Sequence, residues 1–224
     1  MKKLSLVLSL IIASVLLQAQ NHALSIKANY LDLNQNFILN TNVAPVGVSI
    51  GYNYTFNESA LSTGAMIGKA TYNRHQYLME FEGNDILMEE VNSVIFVNSN
   101  ARYSLHQNSW SKIYAEGSVG VTKFHSSSHS VECIEGVEEY SGFQGTAFNV
   151  GAGAGFMINP VELITPGQFG NHIWLNFSFA KVAGTNTDYR NVDSREIQLS
   201  QKNTTENAAT HFNLFTLGLV FELD

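Results

Sequence analysis

Few residues in this 224-residue chain have types and spacing suited to chemistry. His125, His129 and Cys133 recur at i, i+4 and i+8. On a helix that spacing would bring two imidazoles and a thiolate to one face, a donor set that suits zinc. Ser126-Ser127-Ser128 lies between the histidines and nothing there favours a helix, so no metal is assigned. His172 with Ser178, or His211, would supply the base and nucleophile of acyl transfer. These residues form no compact motif, and neither a catalytic residue nor a cofactor is assigned. Two other sets of charges stand out by their neighbours. Lys27, Arg102, Lys112 and Glu116 lie on stretches that alternate with apolar residues, and each falls on the small, polar side of that alternation. Lys69, Lys123 and Lys181 fall on the apolar side. Lysine there acts as a flexible point charge that can reach a phosphate.

The elements that position these residues have a period of two, the mark of strands with different environments on their two faces. Val46, Val48, Ile50, Tyr52, Tyr54 and Phe56 share one face, and Gly47, Ser49, Gly51, Asn53 and Thr55 the other. Phe148 to Ile158, Ile173 to Ala180 and Phe215 to Leu223 repeat the pattern. Weaker stretches run over about 23–31, 60–72, 91–105 and 110–124, which makes eight strands. The Gly-Ala-Gly-Ala-Gly run at 151–155 alternates strictly, as close packing in a narrow interior would require. Most of these strands exceed the 5–6 residues common in soluble sheets and approach the ~9–11 that cross a bilayer at a tilt.

Connections alternate between short and long. The turns near Asn57-Glu58 and Gln107-Asn108-Ser109 are short, whereas 73–90, 125–142 and 184–209 are long. A three-residue turn at 107–109 keeps Arg102 and Lys112 on one side and sets Arg102 diagonal to Glu116. The larger, aromatic face is the apolar one and the smaller face is polar. A soluble sandwich would bury the wrong side, whereas a membrane barrel puts apolar residues outside and polar ones inside. Tyr54, Phe56, Tyr103, Trp110 and Phe221 fall near the short-turn end, and Tyr30, Tyr72 and Phe124 near the long-loop end, as interfacial girdles would. By parity Trp174 points inward.

Composition narrows the class further. Charged residues make up 14% of the chain and hydrophobic ones 45%, against about 25% charged in soluble domains. No stretch after residue 20 gives the ~18 apolar residues of a membrane helix. The net charge of -7 argues against nucleic acid as a partner. Acid gathers in the long connections: Glu80, Glu82, Asp85, Glu89 and Glu90 in one, Glu132, Glu135, Glu138 and Glu139 in the next. Met1-Lys2-Lys3, an apolar run from Leu4 to Leu17 and a polar Gln18-Ala19-Gln20 junction have the layout of a signal peptide. The division is 1–19 signal peptide and 20–224 barrel domain. Cys133 is the lone cysteine, so no disulfides are expected.

Signal peptide, eight strands and alternating connection lengths resemble the small outer-membrane barrels of the OmpA/OmpX/OmpW type. The lysine-rich start and Gln-Ala-Gln junction look similar to those of secreted Bacteroidota proteins. The resemblance is one of pattern over the whole mature chain. It implies an all-β, eight-stranded antiparallel up-and-down transmembrane β-barrel with short periplasmic turns and long extracellular loops. Location in the outer membrane follows, with outer-membrane lipid or lipopolysaccharide, periplasmic chaperones, the barrel-insertion machinery and a ligand for the loops as partners. Family barrels often end in an aromatic; here Phe221 lies three residues before Asp224. Eight strands leave room only for side chains, so Lys27, Arg102, Lys112 and Glu116 are expected to form a lumen charge network. Lys69, Lys123 and Lys181 are expected to bind lipid headgroups. The functional expectation is a non-enzymatic protein with an envelope-structural or loop-mediated binding role. The alternatives are a small gated porin or hydrophobic-compound transporter, and a lipid A-modifying enzyme.

Overall fold

A computed structural model describes residues 22–33, 45–56, 59–81, 83–131, 140–165, 172–191 and 204–223. The signal peptide lies outside these residues, as do Cys133, Glu82 and the four glutamates at 132–139. Strands β1 (His22–Leu33), β2 (Val46–Thr55), β3 (Leu61–Phe81), β4 (Asn84–Gln107), β5 (Ser111–Ser130), β6 (Tyr140–Ile158), β7 (Ile173–Gly184) and β10 (Phe212–Leu223) close into one antiparallel barrel. Its order is β1-β10-β7-β6-β5-β4-β3-β2, so each strand pairs with its neighbour in the chain and β1 pairs with β10 to close the ring. The long connection after β7 carries a separate hairpin, β8 (Asn186–Asn191) with β9 (Thr204–Ala209). A one-turn helix α1 (Pro160–Ile164) follows β6; Asn159 caps it by accepting from the Glu162 amide.

Closure consumes both sheet edges, which is how a strand-built protein can sit in lipid without unpaired backbone groups. Alternation then separates two environments. Leu24, Ile26, Val48, Ile50, Ile67, Val97, Val119, Phe148, Val150 and Leu217 are exposed on the outer wall. Phe148 keeps 67% of its surface and Val48 66%. Ser25, Lys27, Asn29, Ser49, Asn53, Asn98, Asn100 and Asn176 are buried inside.

Three features depart from the sequence reading. Residues 73–81, 84–90 and 125–130 form paired strand instead of open loop. Arg74 pairs with Val91 and Phe81 with Asn84, and the chain reverses at Gly83, whose φ of 79° favours glycine. Strand β4 has 24 residues, about 80 Å at ~3.3 Å each, so the β3–β6 side stands well beyond a bilayer. Second, Leu105 bulges out of the β4–β5 ladder and the turn is one residue longer than expected, with Gln107 pairing Lys112. The Asn108 side chain organises this turn, its Oδ1 accepting from the amides of Trp110 and Ser111 at 3.1 and 2.6 Å. The register change sets Arg102 directly opposite Glu116, not diagonal to it. Third, Tyr72 and Phe124 face inward, 3% and 2% exposed, and belong to no interfacial girdle. They have the parity of Ala70 and Thr122, opposite to that of Lys69 and Lys123.

Candidate functional site

The interior holds two layers. The first lies towards the short turns and is ionic. Arg102 and Glu116, on facing strands, form an ion pair. Asn100 Nδ2 donates to Glu116 Oε2 at 3.2 Å and to Asn53 Oδ1 at 3.0 Å. The Arg102 guanidinium lies 4.7 Å from the centre of the Tyr114 ring, and the Tyr114 hydroxyl donates to Asn176 at 2.6 Å. Tyr114 fits because β6 presents glycine beneath it: a Cβ on Gly155 would overlap the ring. Lys27 is buried, and the void it lines is shared with Arg102 and Glu116. Among the described residues of this group, two cations share one carboxylate.

Nearer the mouth Lys112 pairs with Glu222 across the lumen, from β5 to β10. Trp174 Nε1 donates to Glu222 Oε2 at 2.9 Å, and the Lys112 ammonium sits 4.1 Å from the Trp174 ring centre. The inward parity of Trp174 is thereby explained, since an indole N–H can be buried where it meets a carboxylate. A cavity of about 210 Å³ opens below, lined by His22, Asn53, Arg102, Lys112, Tyr114 and Glu222 among others. The void beside the Arg102–Glu116 pair, lined also by Val182 and Leu214, holds about 20 Å³.

The second layer lies towards the long loops and is apolar. Leu31, Ala70, Tyr72, Val94, Phe124, Ala147, Val182, Phe212 and Leu214 pack together inside the ring. The Tyr72 and Phe124 rings meet edge to face, 6.1 Å between centres at 72°. Beyond them the lumen turns polar again, where Ser126 donates to Asn92 and Asn92 Nδ2 reaches Glu90 at 3.3 Å.

All four charges expected inside are inside, and the structure brings Arg102 to Glu116 and Lys112 to Glu222. Glu222 was legible only as an alternating residue of the last strand; its partner is 110 residues away. Outside, Lys69 and Lys123 flank Ile95 in a single row across β3, β4 and β5. Lys181 stands apart on β7. All three are exposed on the lipid-facing side.

The other sequence candidates separate. His125 and His129 lie on strand β5, not a helix, about 13 Å apart along it. His129 pairs instead with Glu89 at 3.5 Å, beside Arg74 and Gln76. Among the described residues no group of three metal ligands occurs. His172 precedes β7 and Ser178 follows six residues later, about 20 Å along the strand. Glu89 lies beside Arg74 and Glu90 is buried, so the first acidic connection displays less charge than its carboxylates alone imply.

No protein-family model matches the chain, and a search of curated proteins finds no similar sequence. Solved structures do match. Neisserial surface protein A (NspA) superposes with a TM-score of 0.53 at 11% identity, over 91% of this chain and 98% of that one. Ail, the attachment invasion locus protein of Yersinia pestis, was solved in complex with the heparin analogue sucrose octasulfate. It gives 0.51 at 13% identity, over 90% and 97%. With a closed ring of eight strands, an apolar outer wall and a filled interior, the chain has the fold of the small eight-stranded outer-membrane β-barrels.

Proposed function

We propose that the protein is a non-enzymatic integral component of a Gram-negative outer membrane, and that its long connections present a binding surface outside the cell. The observation that carries this is the segregation on the wall. Large apolar side chains stand exposed on the outer face of every barrel strand, which water would not tolerate and lipid requires. Export would pass through periplasmic chaperones and the barrel-insertion machinery, leaving the short turns and the polar mouth in the periplasm. Purified in detergent, the protein should migrate differently before and after boiling, as a stable barrel does. Recovery as a soluble monomer would overturn the reading.

The filled lumen supports a structural and binding role over transport. The Arg102–Glu116 pair and the Tyr72–Phe124 cluster occupy successive levels. Exposed Glu80, Asp85 and Asp188 favour a basic partner or a divalent cation in the connections, and would repel a sulfated ligand such as the one Ail was solved with. Binding of intact cells to a polycation-coated surface, lost on trimming the long connections with protease, would support this; equal binding by trimmed cells would refute it. The separation of His172 from Ser178 supports the non-enzymatic assignment, and release of acyl chains from lipopolysaccharide by the purified protein would contradict it.

Lys69, Lys123 and Lys181 extend the reading to the lipid. Each sits on the outer wall eight to twelve residues beyond the short-turn end of its strand, where a lysine can extend to the interface at a cost of only ~0–1 kcal/mol. Their role is to bind lipid headgroup phosphates. Replacing all three by Gln should reduce co-purified lipopolysaccharide while leaving stability in neutral detergent unchanged; equal retention would remove the role.

A further inference from the structure

The outer wall is not uniformly convex. Across β7, β10, β1 and β2 it carries a groove of about 540 Å³. That volume lies within the roughly 300–1,000 Å³ typical of small-molecule sites. Its floor is Ala28, which pairs with Val48 on one side and Leu217 on the other. On its own strand Ala28 stands between the larger Ile26 and Tyr30. A methyl where the neighbours carry branched or aromatic groups leaves a hollow. Tyr30, Val46, Phe177, Phe179 and Phe215 form the walls.

The groove has a direction. At its long-loop end Phe179, Phe215 and Tyr30 form a continuous aromatic row, with ring centres 5.0 and 6.0 Å apart. One step further towards the loops, the next outward residues on the same three strands are Lys181, Asn213 and Asp32. All three are polar. Towards the short turns the outward residues on those strands are Leu24, Ile26, Leu219, Phe221, Leu175 and Ile173, all apolar. The groove is therefore apolar along its length and polar at one end only, with Lys181 on the β7 side of that end and Asp32 on the β1 side. An outer-leaflet lipid has that polarity: an acyl chain pointing inward and an anionic head at the surface. Asn213 Nδ2 donates to Asp32 Oδ2 at 3.0 Å, so the carboxylate is engaged on the β1 side. Lys181 lies two strands away, about 10 Å at ~4.8 Å per strand. A phosphate would seat on the Lys181 side.

We propose that this groove is a specific lipid site, in which one acyl chain of a phosphorylated outer-leaflet glycolipid of the lipid A type packs over Ala28 and its phosphate meets Lys181. The inference rests on the reading of Lys181 as a headgroup ligand and adds the chain-binding half of the site. In hydrocarbon an apolar hollow gains nothing from expelling water. Its selectivity comes from packing against a shaped wall and from the charge at its end.

Native mass spectrometry of the barrel, purified in a mild neutral detergent and titrated with lipid A, tests it. The parent should retain one tightly held lipid A. Ala28→Phe fills the hollow from a position exposed to lipid, so folding and heat-modifiable mobility should be unchanged while retention falls about fivefold. Lys181→Gln should lower lipid A retention similarly. Filling a flat part of the wall instead, with Val97→Phe, should leave retention at the parent level. Parent-level retention by Ala28→Phe overturns the groove, even where the triple Lys→Gln variant shows the headgroup reading to be right. Parent-level retention by the triple variant overturns the headgroup reading and this site with it. Retention of phosphatidylglycerol as tight as that of lipid A would overturn the assignment to an outer-leaflet glycolipid.

Discussion

The two layers that fill the lumen are built by opposite means. In the lower one, Arg102, Glu116, Lys27, Lys112 and Glu222 are held by partners chosen for charge. In the upper one, Tyr72, Phe124, Leu31 and Leu214 are packed together as an apolar and aromatic cluster. The apolar layer leaves this stretch of chain greasy on both faces of the wall, the outer one facing lipid and the inner one facing itself. A small barrel can thus contain a core of the soluble kind above an ionic network. The difference teaches where such a barrel is vulnerable. A charged layer fails when one member is removed, because its partner is then buried without compensation. An apolar layer fails in proportion to the volume lost.

That contrast can be broken at its strongest point first. Glu116→Ala leaves Arg102 and Lys27 together without their carboxylate and should destabilise the barrel by about 3–5 kcal/mol. The check is the midpoint of unfolding in urea with lipid vesicles present, and adding Lys27→Met should recover part of the loss. No recovery would remove Lys27 from the network. Phe124→Ala in the upper layer should cost about 3 kcal/mol by the same measurement. It should have no second-site suppressor among the charges, because Phe124 packs in the apolar cluster and carries no charge. Gly155→Ala drives a methyl into the Tyr114 ring and should cost about 1–3 kcal/mol. The loss should shrink when Tyr114 is also changed to Leu, which vacates the space. At the mouth Glu222→Gln should cost only about 1 kcal/mol, since that carboxylate is partly in water and screened. A loss there as large as at Glu116 would mean that depth in the lumen does not grade the cost of a broken pair.

The strands were legible because one side of each meets lipid and the other a filled interior, which writes alternation into β2, β6, β7 and β10 with little interference and into β1 more weakly. The inward placement of Lys27, Arg102, Lys112 and Glu116 followed from parity alone. Four things did not follow. Residues 73–81 and 84–90 mix charges with apolar residues such as Leu78, Ile86 and Met88, so no clean alternation declares their strand pairing. The bulge at Leu105 is set by how Asn108 closes its turn, and alternation reads the same on either side of it. Tyr72 and Phe124 were placed by their distance along the strand, whereas their parity already directed them inward. Glu222 needed closure: nothing local to β10 announces that Lys112 waits across the lumen.

The central claim is that this is a membrane barrel sealed by two independent layers. Conductance across a planar bilayer tests it most directly. The lower layer is emptied by changing Lys27, Arg102 and Glu116 to Ser, the upper by changing Tyr72 and Phe124 to Ala. Only variants that keep the heat-modifiable shift are compared. The parent and each single-layer variant should show no steady current, and the variant with both layers emptied should conduct. Steady conductance by the parent, or full conductance on emptying one layer alone, would contradict the account.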